Sequence, residues 1–342
     1  LRQRLRIGKT PKVEVLAAEA QWSVLQSQRL AAEGAKNVAR DGFARITGLD
    51  RATPLTDPMR FPSEPKTLQS YLDEIENRPD IKALIAAVEA GAQPLDLLCV
   101  EGSLITGPYG SGMFDSYRGR PKIRIVEALA ARARVVVAIG TCAAFGGIPA
   151  APPNPTDCTG LQFDRESPGG LLSPEWRSTA GLPVINVAGC PTHPTTITRA
   201  LAMLARDQPL ELDFLNRPRP FFGAMVHQGC TRNEYHEYDI EEKDFGGRGC
   251  LFFNLGCQGP NTLANCNSDL WNRRSSKTRA GVPCFGCTSP DFPRDGDLFR
   301  TEKLGAVPVK LPLGVSRAHY LAYKNLAHAA APKRVKNREM EP

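Results

Sequence analysis

Arg134-Val135-Val136-Val137-Ala138-Ile139-Gly140-Thr141-Cys142 is the stretch that decides the fold. A short apolar run without polar alternation reads as a strand buried on both faces, and such strands belong to parallel sheets covered by helices. Glycine ends the run and sets Cys142 just past its carboxyl end. Three other runs read the same way: residues 13–16 (Val13-Glu14-Val15-Leu16), 95–100 and 182–188. All but the first enter a Gly-containing loop at once. Helical patterns lie between them at 80–92, 122–133 and 194–206. Alternating strands and helices predict an α/β, doubly wound parallel sheet, because parallel strands need crossover connections. Ligands of such sheets sit beyond the strand carboxyl ends. That rule selects three loops: Glu101-Gly102-Ser103, Gly140-Thr141-Cys142 and Gly189-Cys190-Pro191.

After about Pro209 the pattern changes. Residues 209–315 are rich in Gly, Pro, Asn and Asp and hold six of the ten cysteines, so bound metal is the expected organiser of that region. Helical periodicity returns over 315–331. The division predicted is a parallel-sheet domain over 1–208 and a cysteine-rich domain with a terminal helix over 209–342.

With 342 residues, two domains of ordinary size can each bury a core without covalent staples. The net charge of +7 is spread along the chain, which is not the footprint of a nucleic-acid-binding protein. The tail Lys333-Arg334-Val335-Lys336-Asn337-Arg338 reads as a solvated end. No transmembrane segment or secretory signal is visible, although the first residue is Leu, which leaves a removed export leader open. Ten cysteines without an export signal point to a reducing compartment, the cytoplasm, and there clustered cysteines hold metals more often than they pair.

His227-Gln228-Gly229-Cys230, Cys250 and Cys257 form a four-donor set suited to zinc or to an iron–sulfur cluster. Cys266 and Cys284-Phe285-Gly286-Cys287 form a second set with three thiols. A closed zinc site wants a fourth ligand, whereas a cuboidal cluster lacking one iron needs three. Lys277 between them is no ligand when protonated. Cys99, inside an apolar strand, reads as a buried structural thiol, and Cys158 as a loop thiol without a visible partner.

Together Val100-Glu101-Gly102-Ser103, Thr141-Cys142-Ala143-Ala144-Phe145-Gly146-Gly147, Asn154-Pro155-Thr156, Ala188-Gly189-Cys190-Pro191, His227-x-x-Cys230 and Cys284-x-x-Cys287 resemble the small subunit of [NiFe] hydrogenases. The short gap between Cys250 and Cys257, with the loop ending in Cys158, is most similar to the hydrogen-sensing and cytosolic uptake-type members. The resemblance implies a flavodoxin-like domain with a proximal [4Fe–4S] cluster, followed by an irregular iron–sulfur domain with a medial and a distal cluster. By motif, His227, Cys230, Cys250 and Cys257 would hold a distal [4Fe–4S] cluster. Cys266, Cys284 and Cys287 would hold a medial [3Fe–4S] cluster. Cys142 and Cys190 match two ligands of the proximal cluster. Glu101 matches a carboxylate near it, and equally a turn residue that accepts backbone N–H groups. The implied partners are a large subunit with the Ni-Fe centre, which is not in this chain, and an electron acceptor protein or carrier; a dimer of such heterodimers is left open.

One departure limits the resemblance. The family's first strand leads into Cys-x-x-Cys, which supplies the other two proximal ligands. Here Gln21 and Val24, or Trp22 and Leu25, stand in those places, and no cysteine precedes Cys99. Four outcomes fit: a smaller or labile cluster helped by Cys158 or Glu101, no proximal cluster, a divergent copy whose partner no longer turns over hydrogen, or a misread opening segment of an ordinary hydrogenase chain.

Overall fold

A computed structural model describes residues 12–48, 50–53, 79–296 and 298–339. The chain divides into two units, Leu1–Ser70 and Tyr71–Pro342. In the first, helix α1 spans Lys12–Thr47. This overturns the strand expected over 13–16, which is the start of α1. The two valines there favour a strand locally. Behind them, however, Ala, Leu, Glu, Gln and Arg continue without a Pro, and strong helix formers over so long a window outweigh two β-branched residues. Gln21, Trp22, Val24 and Leu25 all lie on exposed turns of α1.

The second unit begins with α2, Pro79–Glu89. A parallel sheet follows, with strands β1 (Leu95–Glu101), β2 (Ala133–Ile139) and β3 (Ile185–Val187) side by side in that order. Leu95 pairs with Ala133 and Glu101 with Ile139; on the other side Val137 pairs with Ile185 and Ile139 with Val187. Helix α3 (Lys122–Ala130) makes the crossover from β1 to β2. The short helix α4 (Gly140–Phe145) leaves β2 directly, and α5 (Pro194–Ala205) follows β3. Pro194 stands in the first turn of α5, where its missing N–H costs nothing, and the His193 ring accepts the Thr195 N–H at 3.2 Å as the cap.

Val135, Val136, Val137 and Ala138 are buried to the last few per cent, as the unalternating run requires. They join Ala143, Phe145, Leu161, Val184, Ala200 and Phe222 in the first core. β3 is shorter than the run at 182–188. Pro183 has no N–H for the ladder, and Gly181, at φ +75°, turns the chain just before it. Cys99 is exposed, not buried, because β1 is an edge strand of the described sheet and Cys99 points away from its covered face.

Residues 209–315 are mostly irregular but do build a side-chain core. Tyr235, Leu251, Phe252, Phe253 and Leu255 pack with the thiols Cys250, Cys257 and Cys284. Helix α6 (Asn233–Glu237) carries Tyr235. The terminal helix α7 (Arg317–Ala330) starts at a Ser316 cap, whose Oγ accepts the His319 N–H at 3.3 Å. The basic tail is not a free end. In α8 (Lys333–Lys336), Val335 is fully buried, Arg334 donates to Glu234 at 3.0 Å, and Arg338 donates to Glu242 at 2.6 Å. One buried valine and two carboxylate partners hold a segment whose composition alone reads as solvated.

Candidate metal centres

The first group surrounds a small cavity lined by His227, Cys230, Cys250 and Cys257. A single 3₁₀ turn, Val226–Gly229, presents His227, and the Cys230 N–H closes back on the His227 carbonyl at 3.0 Å. Cys250 is pinned between Ile240 and Glu242. Its N–H bonds Ile240 O at 2.8 Å, and its carbonyl accepts from Glu242 N at 2.9 Å. Before Cys257 stands Gly256 at φ +67°, where an added Cβ would meet Leu298 O at 2.9 Å. Only glycine lets the chain pass there. Burial pushes the Cys257 thiol up to about 11 and the Cys250 thiol well above its ordinary range. Without metal both are therefore protonated at neutral pH, and binding a metal must displace those protons.

His236 belongs to this group and is not picked out by any motif. Its ring meets His227 at 4.5 Å and stacks on Phe253 at 5.2 Å, with Nδ1 3.4 Å from Cys250 Sγ. Burial, aided by His227, lowers its pKa to about 3, so the ring is neutral. The available signal is that two of only five histidines fall nine positions apart, beside a cysteine.

The second group lines a small cavity, with Cys266, Cys284 and Cys287 joined by Lys277, Phe285 and Trp271. Burial, then Cys287, raises the Cys266 thiol to about 11, while the Lys277 ammonium opposes the rise. Lys277 Nζ sits 5.1 Å from the Phe285 ring centroid, a cation held by a π face. The two groups abut: the Cys284 N–H points at Cys257 Sγ, 3.3 Å away.

Cys142 on α4 and Cys190 after β3 lie at the carboxyl ends of neighbouring strands, as the topology requires. Burial raises the Cys190 thiol, Cys142 and Cys287 add to the rise, and Lys277 opposes it. These two thiols are thus in electrostatic reach of each other and of the second group. Thr141 makes the join. Its Oγ1 donates to the Cys287 carbonyl and accepts the Gly189 N–H at 3.0 Å. Gly147, at φ +56°, lets the loop fold over Cys142; a Cβ there would fall 2.8 Å from its sulfur.

Glu101 ends β1 opposite Ile139, and among the described residues no hydrogen bond reaches its carboxylate. Cys158 is buried in a short ribbon with Ile105, and its sulfur meets Thr156 Oγ1 at 3.0 Å. Among the described residues, no three His, Cys, Asp or Glu side chains converge tightly enough to hold a single metal ion. The thiols instead line walls around cavities, an arrangement that suits a polynuclear cluster better than tetrahedral zinc.

The two halves of the chain match two redox-enzyme families. Residues 58–204 match the NADH ubiquinone oxidoreductase 20 kDa subunit, and residues 222–300 match the C-terminal part of the NiFe/NiFeSe hydrogenase small subunit. The chain is 33% identical over 213 residues to the periplasmic [NiFe] hydrogenase small subunit 1 of Nitratidesulfovibrio vulgaris, covering 60% of this chain and 62% of that one. To the F420 non-reducing hydrogenase II small subunit of Methanosarcina mazei it is 32% identical over 234 residues, covering 64% and 60%. Among solved structures, the actinobacterial-type NiFe-hydrogenase from Ralstonia eutropha H16 superposes with a TM-score of 0.61 at 30% identity, covering 78% of this chain and 77% of that one.

The fold and the matches define a class, the small subunits of redox enzymes built on a flavodoxin-like sheet. Within that class, the chain belongs to the small-subunit family of [NiFe] hydrogenases. It spans about six tenths of the length of the curated relatives it matches.

Proposed function

We propose that this chain is the electron-transfer subunit of a [NiFe] hydrogenase, passing electrons between the Ni-Fe site of a large subunit and an acceptor protein or carrier. The observation that carries the reading is the continuity of the three thiol groups. Cys142 and Cys190 connect through Thr141 to Cys287, and Cys284 of that second group abuts Cys257 of the first. Iron–sulfur clusters, when bound, take up and return single electrons without bond chemistry by the protein.

In this reading His227, Cys230, Cys250 and Cys257 hold a distal [4Fe–4S] cluster, and Cys266, Cys284 and Cys287 a medial [3Fe–4S] cluster. Lys277 lines the second cavity where a fourth ligand would stand. Cys142 and Cys190, with the unbonded carboxylate of Glu101, form an incomplete proximal set. We place the chain in a reducing compartment, the cytoplasm, where clustered cysteines hold metals more often than they pair. Among the described residues no helix is long and apolar enough to cross a membrane.

A second reading, a sensory or structural subunit with an interrupted relay, is favoured by one observation. No cysteine precedes Cys99 in the sequence to supply the two further proximal ligands that the family carries. Iron content of the purified heterodimer separates the two. A complete relay requires about eleven irons per chain, whereas the distal and medial clusters alone require about seven. Iron above about seven per chain with hydrogen-dependent dye reduction is the expected result. Iron near seven without dye reduction would establish the interrupted relay.

A further inference from the structure

Arg232 is 2% exposed and stands against the same cavity as His227, Cys230, Cys250 and Cys257. Three of its N–H groups are fixed by backbone carbonyls. Nε donates to Thr278 O at 2.7 Å, while Nη1 donates to Gly249 O at 2.7 Å and also to Gly247 O. Its backbone N–H points at Cys230 Sγ, 3.4 Å away. Nη2 alone has no partner among the described residues. A buried guanidinium with an unmade hydrogen bond is costly and persists where a counter-charge receives it. The charges that would act on it are those of Cys230, Cys250 and Cys257 once ionised and of Glu242, whose Oε1 is already engaged by Arg338.

We propose that Arg232 donates through Nη2 to a sulfur of the cluster held by His227, Cys230, Cys250 and Cys257, and so raises that cluster's reduction potential. The inference rests on reading this cavity as a cluster site. Each electron taken up makes a thiolate-ligated cluster one charge more negative. A fixed cation with a donor aimed at it therefore favours the reduced state. The electron arrives from the adjoining cluster and leaves to the acceptor. No bond forms or breaks at Arg232, and its protons stay on the guanidinium.

The test is potentiometric titration of the heterodimer followed by electron paramagnetic resonance, comparing wild type with Arg232→Met and Arg232→Lys. At a fixed potential, Arg232→Met is expected to shift the oxidised-to-reduced ratio of the imidazole-ligated cluster at least tenfold toward the oxidised form, about 59 mV for a one-electron couple. Arg232→Lys is expected to shift it less, and the other clusters are expected to keep their potentials. Equal potentials in all three proteins, with the cluster retained, overturn the proposal. If Arg232→Met loses the cluster, the wild-type protein decides. Arginine labelled with ¹⁵N in the guanidino group should show hyperfine coupling to the reduced cluster, and its absence overturns the assignment. A heterodimer with no imidazole-ligated cluster would overturn the underlying reading as well, and iron content makes that outcome distinct.

Discussion

Cys250, Cys257 and Cys284 are the least ordinary thiols of the chain, since burial holds all three protonated well past neutral pH. Holding a metal would require the thiolate, and burial makes the metal-free folded state resist that ionisation. At pH 8 the metal-free native chain should therefore alkylate first at exposed Cys99 and leave these three unmodified; peptide mapping by mass spectrometry reads the order. Rapid labelling of Cys250 would show that this cavity is open rather than built. The same residues show what a sequence displays and what it hides. His227, Cys230, Cys284 and Cys287 announce themselves by spacing. Arg232 and His236 do not, because their role comes from burial beside residues distant in sequence, Thr278 standing 46 positions from Arg232. Cys99 sits in a strand that looks buried, yet whether a second layer covers that strand is decided by chain far from it in sequence.

Among the elements, α7 shows how a helix without a single buried residue is still held in place. Lys324 reaches Glu241 at 3.2 Å and Asp239 at 3.6 Å, and its ammonium lies 5.6 Å from the Phe253 ring centroid. Asp239 is the strained partner. Burial raises its carboxyl to about 6 despite the opposing Lys324, and its Oδ1 has no hydrogen bond among the described residues. An acid with a raised folded pKa has its full stability below its unfolded value near 4 and loses it as pH climbs toward 6. Asp239→Asn should therefore stabilise the chain at pH 7 by about 1 kcal/mol, after allowing for solvent screening, and be neutral at pH 4. Urea unfolding at the two pH values measures the difference; equal gains at both would rule out the ionisation cause. α1 teaches the converse lesson about elements. Four residues of strand-like sequence at 13–16 are too short to resist the helix formers that follow them, so local propensity read in a short window gives the wrong element.

Across the second unit, Thr141 makes one of the contacts that join the sheet to the cysteine-rich region. Thr141, on α4 just after β2, bonds both the Gly189 amide and the Cys287 carbonyl, and Arg165 adds bonds from Nη2 to Asp291 O at 2.9 Å and Pro293 O at 3.1 Å. Thr141→Val keeps the volume but leaves two buried backbone groups without partners, a cost of about 1–3 kcal/mol. The expected outcome is a lower melting temperature together with weaker iron retention in the Cys142–Cys190 region, read by thermal denaturation and iron content. Unchanged stability would mean that the two regions are held together elsewhere. Because one hydroxyl serves all three loops, cluster loss at one site and loosening of the next are expected to be coupled.

By itself the sequence determined the parallel strands, to within one residue, at 95–100 and 134–139, the loops at their carboxyl ends, and the donor types and spacings of the candidate metal centres. Those features are legible because strand burial and ligand chemistry are written in contiguous residues. Only the tertiary structure decided that Cys99 faces outward, that the basic tail docks on Glu234 and Glu242, and that Arg232 and His236 join the first thiol group. It also decided that Thr141 links the sheet to Cys287. The physical reason is common to all of them: burial and hydrogen-bond partnership are set by residues distant in sequence, and no local pattern carries that information.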